Sequence, residues 1–193
     1  MPFLEVLTRT FNARPHLLRI NQESLRRQTD PDWIQTILMD DQARGIAWAS
    51  ENMAAYAPNL VGEYIFCLDD DDTCILPTLV EELKFIVADS DPDVIMIRMD
   101  HGGGRILPGD DTWLMPPVLG QIGCSAFVVR REVWQRHASA MEGGHYSSDY
   151  DLINAIWKSQ PTVYWHDVVA SRVMVQSFGR PEASNPWRAP ARA

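Results

Sequence analysis

Gly62-Glu63-Tyr64-Ile65-Phe66-Cys67-Leu68-Asp69-Asp70-Asp71-Asp72 sets an unbroken apolar run directly against four consecutive aspartates. An apolar run of this length without alternation reads as a strand buried on both faces. Four adjacent carboxylates repel one another, and capping the next helix, for which Asp72 or Thr73 is placed, takes only one. A divalent cation accounts for the excess. Mg²⁺ or Mn²⁺ takes carboxylate and phosphate oxygens and shares itself between one or two protein carboxylates and a diphosphate.

Working outward, the same grammar repeats. Phe3-Leu4-Glu5-Val6-Leu7-Thr8 reads as a buried strand, and Asn12-Ala13-Arg14-Pro15 as a turn whose proline opens a helix from about Pro15 to Gln28. Leu17, Ile20 and Ser24 share one side of that helix. Trp33 to Met39 is a second strand ending in Asp40-Asp41, and Ile46, Ala49, Met53 and Ala57 mark a helical stripe. After the aspartates, Pro77 opens a helix with apolar Leu79, Val80, Leu83, Ile86 and Val87, and Val94 to Arg98 is a fourth strand. Strands and helices in alternation predict an α/β fold with a parallel sheet covered on both faces. Ligands in such sheets bind beyond the carboxyl ends of the strands. The polar clusters Thr8-Arg9-Thr10, Asp40-Asp41 and Asp69 to Asp72 lie there.

The second half is more irregular. Gly102 to Pro117 is a loop region carrying Trp113. Gly123 to Arg130 reads as a strand, followed by a helix with Val133, Trp134, His137 and Met141, a break at Gly143-Gly144-His145, and a helix over Asp149 to Lys158. Thr162 to Trp165 is a short last strand before His166, and residues 180–193 read as a loose tail.

Length and composition bound the rest. The 193 residues are 46% hydrophobic and 22% charged, the profile of one globular domain. A net charge of −9 argues against nucleic acid as a partner. No apolar run reaches the roughly 18–20 residues of a membrane span, and Met1 to Val6 lacks the pattern of a secretory signal. Cys67, Cys74 and Cys124 show no paired spacing, which suits the reducing cytoplasm.

Taken in order, Leu7-Thr8-Arg9-Thr10-Phe11-Asn12, Ser24 to Trp33, Met39-Asp40-Asp41 and Gly62 to Asp72 resemble the family 2 glycosyltransferases of GT-A fold. The resemblance runs from residue 3 to about 88 and more loosely to about 167. It implies a Rossmann-like, mostly parallel sheet in a single domain over 1–179, with a nucleotide-binding half (1–100) and an acceptor-binding half (101–179). It places Thr8, Arg9, Thr10 and Asp70 along the nucleotide, Asp40 or Asp41 on the base, and Asp69 near the ribose. Asp71 falls on the metal, Mn²⁺ or Mg²⁺, and His166 stands where some relatives carry a metal-binding histidine. Ser148-Asp149-Tyr150-Asp151-Leu152 resembles the segment whose first aspartate is the general base of inverting members, which makes Asp149 that base. A helix-terminal carboxylate is the plainer reading of Asp149, but Ser147 or Ser148 serves equally well as the cap, which leaves that carboxylate free. Trp113 and the Gly120 to Ser125 segment fall where acceptors bind.

The activity so implied moves a sugar from a nucleoside-diphosphate sugar, a UDP-sugar foremost, to a hydroxyl of a glycan, lipid or protein. The chain departs from the family in three places: no serine follows Asp41, the stretch from there to Gly45 is too short for a strand common in larger relatives, and Ser148 replaces the usual glutamate. Two alternatives stand beside this reading. Leu68-Asp69-Asp70-Asp71-Asp72-Thr73 also fits the first motif of haloacid-dehalogenase-like phosphatases, with Asp69 as nucleophile and Asp71 as acid/base. The third is a nucleotide-binding module of the same fold without turnover.

Overall fold

The structure, a computed structural model, describes residues 1–12, 14–143 and 146–174. The first half gives β1 (Leu4–Phe11), α1 (Pro15–Leu25), β2 (Trp33–Asp40), α2 (Ile46–Tyr56), β3 (Tyr64–Cys67), β4 (Asp72–Cys74), α3 (Leu79–Ser90) and β5 (Val94–Asp100). The second gives β6 (Ile106–Leu107), β7 (Phe127–Arg130), α4 (Arg131–His137), α5 (Ser148–Lys158) and β8 (Val163–Val173).

The strands form one sheet in the order β2-β1-β3-β7-β5-β8-β4, with β6 beside β5. β2, β1, β3, β5 and β8 point one way; β7, β4 and β6 run against them. This is the expected mostly parallel α/β sheet. Alternation along the buried strands sorts their side chains into two cores. Leu4, Val6, Tyr64, Phe66, Ile95 and Ile97 pack on the side of α1 and α3. Leu7, Ile65, Cys67, Val94 and Met96 pack on the side of α2, α4 and α5.

Several expectations are corrected. α1 stops at Leu25, and its buried stripe is Leu17, Asn21, Ser24 and Leu25, leaving Ile20 at 36% exposure. Gln28 lies beyond the helix and uses its side-chain amide to bridge Leu76 O (2.8 Å) and Val80 N (3.1 Å). Asp72 and Thr73 cap nothing: they belong to β4, and Thr78 stands before α3. Cys124 to Ala126 is a 3₁₀ turn closed by Ala126 N–H to Gly123 O, so the strand begins only at Phe127.

The last strand extends eight residues past Trp165, and His166 lies inside it. The polar His166-Asp167 pair hid this continuation. A register shift in the β5–β8 ladder falls between Met96 and Arg98, and there Arg98 Nε donates to Asp167 Oδ1 at 2.5 Å. The tail read over 180–193 lies outside the described residues. Among the described residues, no helix is long and apolar enough to cross a membrane.

Candidate active site

Parallel pairing carries the ends of β1, β2 and β3 to the same side of the sheet, where Thr8 to Thr10, Asp40 and, two residues past β3, Asp69 collect. β7 runs against β3, so the turn before it brings Cys124 and Ser125 to that side as well. Leu7 and Cys67 are ladder partners on the α5 side. Two residues further along each chain, Arg9 and Asp69 meet in a bidentate pair, Nε–Oδ1 2.7 Å and Nη2–Oδ2 2.5 Å. Burial opposes both charges, yet each holds the other ionised, with the Asp69 carboxyl below its ordinary value.

The residue between points to the opposite face. Asp70 is fully buried and accepts the Thr10 hydroxyl at 2.6 Å. Its other oxygen lies 2.6 Å from Arg14 Nη2 without receiving a well-directed hydrogen bond. Burial raises its pKa to about 6 against the pull of Thr10 and Arg14. Asp71 accepts Arg14 Nη1 at 3.2 Å, and burial followed by Asp69 pushes its pKa upward. Asp72 turns inward: Ser125 Oγ donates to it at 3.1 Å and Ser171 Oγ donates to Ser125 Oγ at 2.8 Å, while burial drives its pKa well up. The four carboxylates thus face four different surroundings. The pair spanned by Arg14, Asp70 with a poorly satisfied oxygen and Asp71 at the opening, is an all-oxygen donor set of the kind Mg²⁺ or Mn²⁺ takes.

A buried amide holds this loop in shape. Asn21 of α1 donates to Asp69 O (2.9 Å) and Asp72 O (3.0 Å), and approaches Leu68 O at 3.4 Å. Gln35 of β2 in turn donates to Asn21 Oδ1 (2.7 Å) and to the Thr8 hydroxyl (2.8 Å). Sequence reading missed Arg14, Asn21 and Gln35. The signal for Asn21 was its place on the apolar stripe between Leu17 and Leu25.

Asp149, in the first turn of α5, lines the same narrow pocket as Arg9, Cys67, Cys124 and Ser148, with room for about one water. Burial lifts its pKa to about 6, against the Tyr150 N–H that it accepts at 2.8 Å and the charge of Arg9. Neither serine caps the helix. Ser147 makes no side-chain cap bond, and Ser148 instead shares a 2.7 Å hydrogen bond with Ser50 of α2.

Asp40 and Asp41 have separated duties. Burial works against the Asp40 charge, but Arg44 and the N–H groups of Gln42 and Gly45 bring its pKa below the usual range and tie up both oxygens. Asp41 projects outward with its side chain 71% exposed. His166 is not brought to the aspartates: its Nε2 lies 2.7 Å from Glu82 of α3. Trp113 packs edge-on against Trp165 (centroids 4.9 Å apart) and under the Arg98 guanidinium (4.3 Å), so one of its faces is filled.

No protein-family model matches the chain, and no curated protein matches it either. Solved structures do. The 1-349 piece of S. aureus TarS superposes with a TM-score of 0.68 at 14% identity over 89% of this chain and 60% of its own. The same piece in complex with UDP gives 0.67 at 15% identity, covering 90% and 60%. Mannosyltransferase PcManGT from Pyrobaculum calidifontis, in complex with GDP-Man and Mn²⁺, gives 0.60 at 16% identity, covering 92% and 58%. The chain therefore spans about 60% of the length of these structures. At such identities the likeness establishes the fold, and the chain has the GT-A-like fold of glycosyltransferases.

Proposed function

We propose that this chain is a glycosyltransferase that binds a nucleoside-diphosphate sugar at the ends of β1 to β3 and inverts its anomeric carbon on transfer to a hydroxyl acceptor. The observation that carries this reading is the convergence of Asp149 on one pocket with Arg9, the partner of Asp69, although the three lie far apart in sequence. The UDP, UDP-GlcNAc and GDP-Man held by structures of this fold support the donor class. The Mn²⁺ beside GDP-Man supports the cation.

In this reading Asp71, beside Asp70, holds Mg²⁺ or Mn²⁺. A bound cation neutralises charge on the departing diphosphate. Arg9 keeps Asp69 fixed toward the ribose, with Thr8 and Thr10 behind it, and exposed Asp41 rather than Asp40 reaches the base. Asp149, with a pKa about 6, is ionised at neutral pH yet basic enough to take the acceptor's proton as the new bond forms. His166 plays no part in this site. Residues 101–174 supply the acceptor side, on which the single domain expected over 1–179 is completed.

The test joins binding to turnover. UDP, GDP, CMP and dTDP are screened by thermal shift with Mn²⁺ or Mg²⁺, since a ligand of the folded state raises its melting point. The best nucleotide then defines the donor series. Asp149→Asn is expected to lower transfer by about 10²–10⁴-fold with nucleotide affinity retained. Asp149→Asn turning over at the wild-type rate removes the base from this mechanism, and absence of any nucleotide shift removes the donor class.

A further inference from the structure

Among the described residues, two thiols without a role in the transfer chemistry, Cys67 and Cys124, converge on the Asp69 carboxylate. Cys67 Sγ, Cys124 Sγ and an Asp69 carboxylate oxygen all lie within 4.8 Å of one another. Cys124 Sγ donates to Asp69 Oδ2 at 3.4 Å. Neither thiol is in a disulfide, and both line the pocket that Asp149 and Arg9 share.

We propose that Cys67, Cys124 and Asp69 form a binding site for a thiophilic divalent cation, Zn²⁺ or Cd²⁺, separate from the oxygen-lined position at Asp70 and Asp71. The geometry is close to what such an ion needs. Tetrahedral zinc with Zn–S near 2.3 Å and Zn–O near 2.0–2.2 Å sets its ligand atoms roughly 3.5–3.8 Å apart. The present spread asks for a contraction of about 1 Å. Three protein ligands leave a fourth position facing the pocket, where there is room for about one water.

Charge balance permits the ion, because the cluster is neutral both before and after binding. Binding releases one proton from each thiol and forms two metal–sulfur bonds and one metal–oxygen bond. Two thiolates and one carboxylate then face a dication and the Arg9 guanidinium, which leaves the buried cluster without net charge. Arg9 holds both Asp69 oxygens, Nε to Oδ1 at 2.7 Å and Nη2 to Oδ2 at 2.5 Å, the orienting contact that ligating carboxylates require, and on Oδ2 the metal would take the place of the Cys124 thiol proton. Soft sulfur donors select against Mg²⁺ and Mn²⁺. The two cation positions therefore differ in chemistry and not only in place.

The experiment uses Cd²⁺ added to the whole, reduced protein without nucleotide, read by ultraviolet thiolate-to-metal charge transfer and by proton release in weak buffer. One equivalent is expected to produce the band with release of about two protons. Cys124→Ala, at the partly buried thiol, and Cys67→Ser are each expected to weaken binding roughly 100-fold or more. Cys74→Ser, whose thiol lies among the residues packed toward α1 and α3, is expected to leave the band unchanged. Asp71→Asn is also expected to leave it unchanged, which separates this site from the transferase reading. A protein that shows no band at one equivalent, or a band that survives Cys124→Ala, overturns the site.

Discussion

Asn21 shows how one side chain can set the shape of a charged loop. Its buried amide reaches carbonyls of Leu68, Asp69 and Asp72, and Gln35 satisfies its own oxygen. An apolar residue of similar size leaves those carbonyls facing a dry interior, each at about 1–3 kcal/mol. Asn21→Leu is therefore expected to lower stability by at least about 2 kcal/mol in urea denaturation. It also weakens any nucleotide bound at the loop. A variant as stable as wild type removes Asn21 from this role. The aspartates themselves were legible because they are contiguous and follow an apolar strand. Their division of labour was not: which carboxylate meets Arg9, Arg14 or Ser125 depends on strand parity and on partners dozens of residues away.

Elements delivered in sequence order were the readable ones. β1, β2, β3 and β5 announce themselves as apolar runs, and the helices between them as periodic stripes. β4 and the far half of β8 did not, since Asp72 and the His166-Asp167 pair look like loop chemistry. Their polarity is matched by partners from other elements, Ser125 for Asp72 and Arg98 for Asp167. The link into β3 is held in the same manner. Buried Glu5 of β1 accepts Thr36 Oγ1 (2.7 Å) and the N–H groups of Val61 (2.7 Å) and Gly62 (2.8 Å). A Cβ at Gly62 would meet Glu5 Cβ at 2.5 Å and Glu5 N at 2.7 Å. Backbone cannot yield as a side chain tip can, so Gly62→Ala is expected to cost about 1–3 kcal/mol, measured by equilibrium denaturation. An unchanged midpoint would mean that β1 and β3 are less tightly docked than the contact implies.

For the molecule as a whole, the acidic loop ties stability to pH. Asp70 and Asp149 have folded pKa values raised to about 6, and Asp71 and Asp72 are also raised. Between roughly pH 4 and 6 the folded state then binds more protons through these groups than the unfolded chain, so their contribution to stability grows as pH falls. His101 and His137 work the other way, because burial lowers their pKa values and protonation favours the unfolded chain. Asp69 and Asp40, held below the usual range, lose their stabilising ionisation only in stronger acid. Asp70→Asn isolates one contributor. Wild type is expected to gain on it as pH falls from 7.5 to 5 by about 1.4 kcal/mol, since about one unit of the shift is crossed in that window. Parallel melting curves for the two proteins across that range would remove Asp70 from the account.

β8 pairs with β4 at Asp72–Cys74, and beyond it the Met174 N–H donates to Asp71 O at 2.7 Å. Synthesis runs from the other end. The aspartate tract leaves the ribosome about a hundred residues before the segment that fastens it. Throughout that interval the tract has Arg9, Arg14 and Asn21 within its reach, but β4 has no strand to pair with. Assembly of this pocket is thus timed by translation: the first strands can pair early, but the acid loop gains its last clasp only when residue 174 clears the exit tunnel.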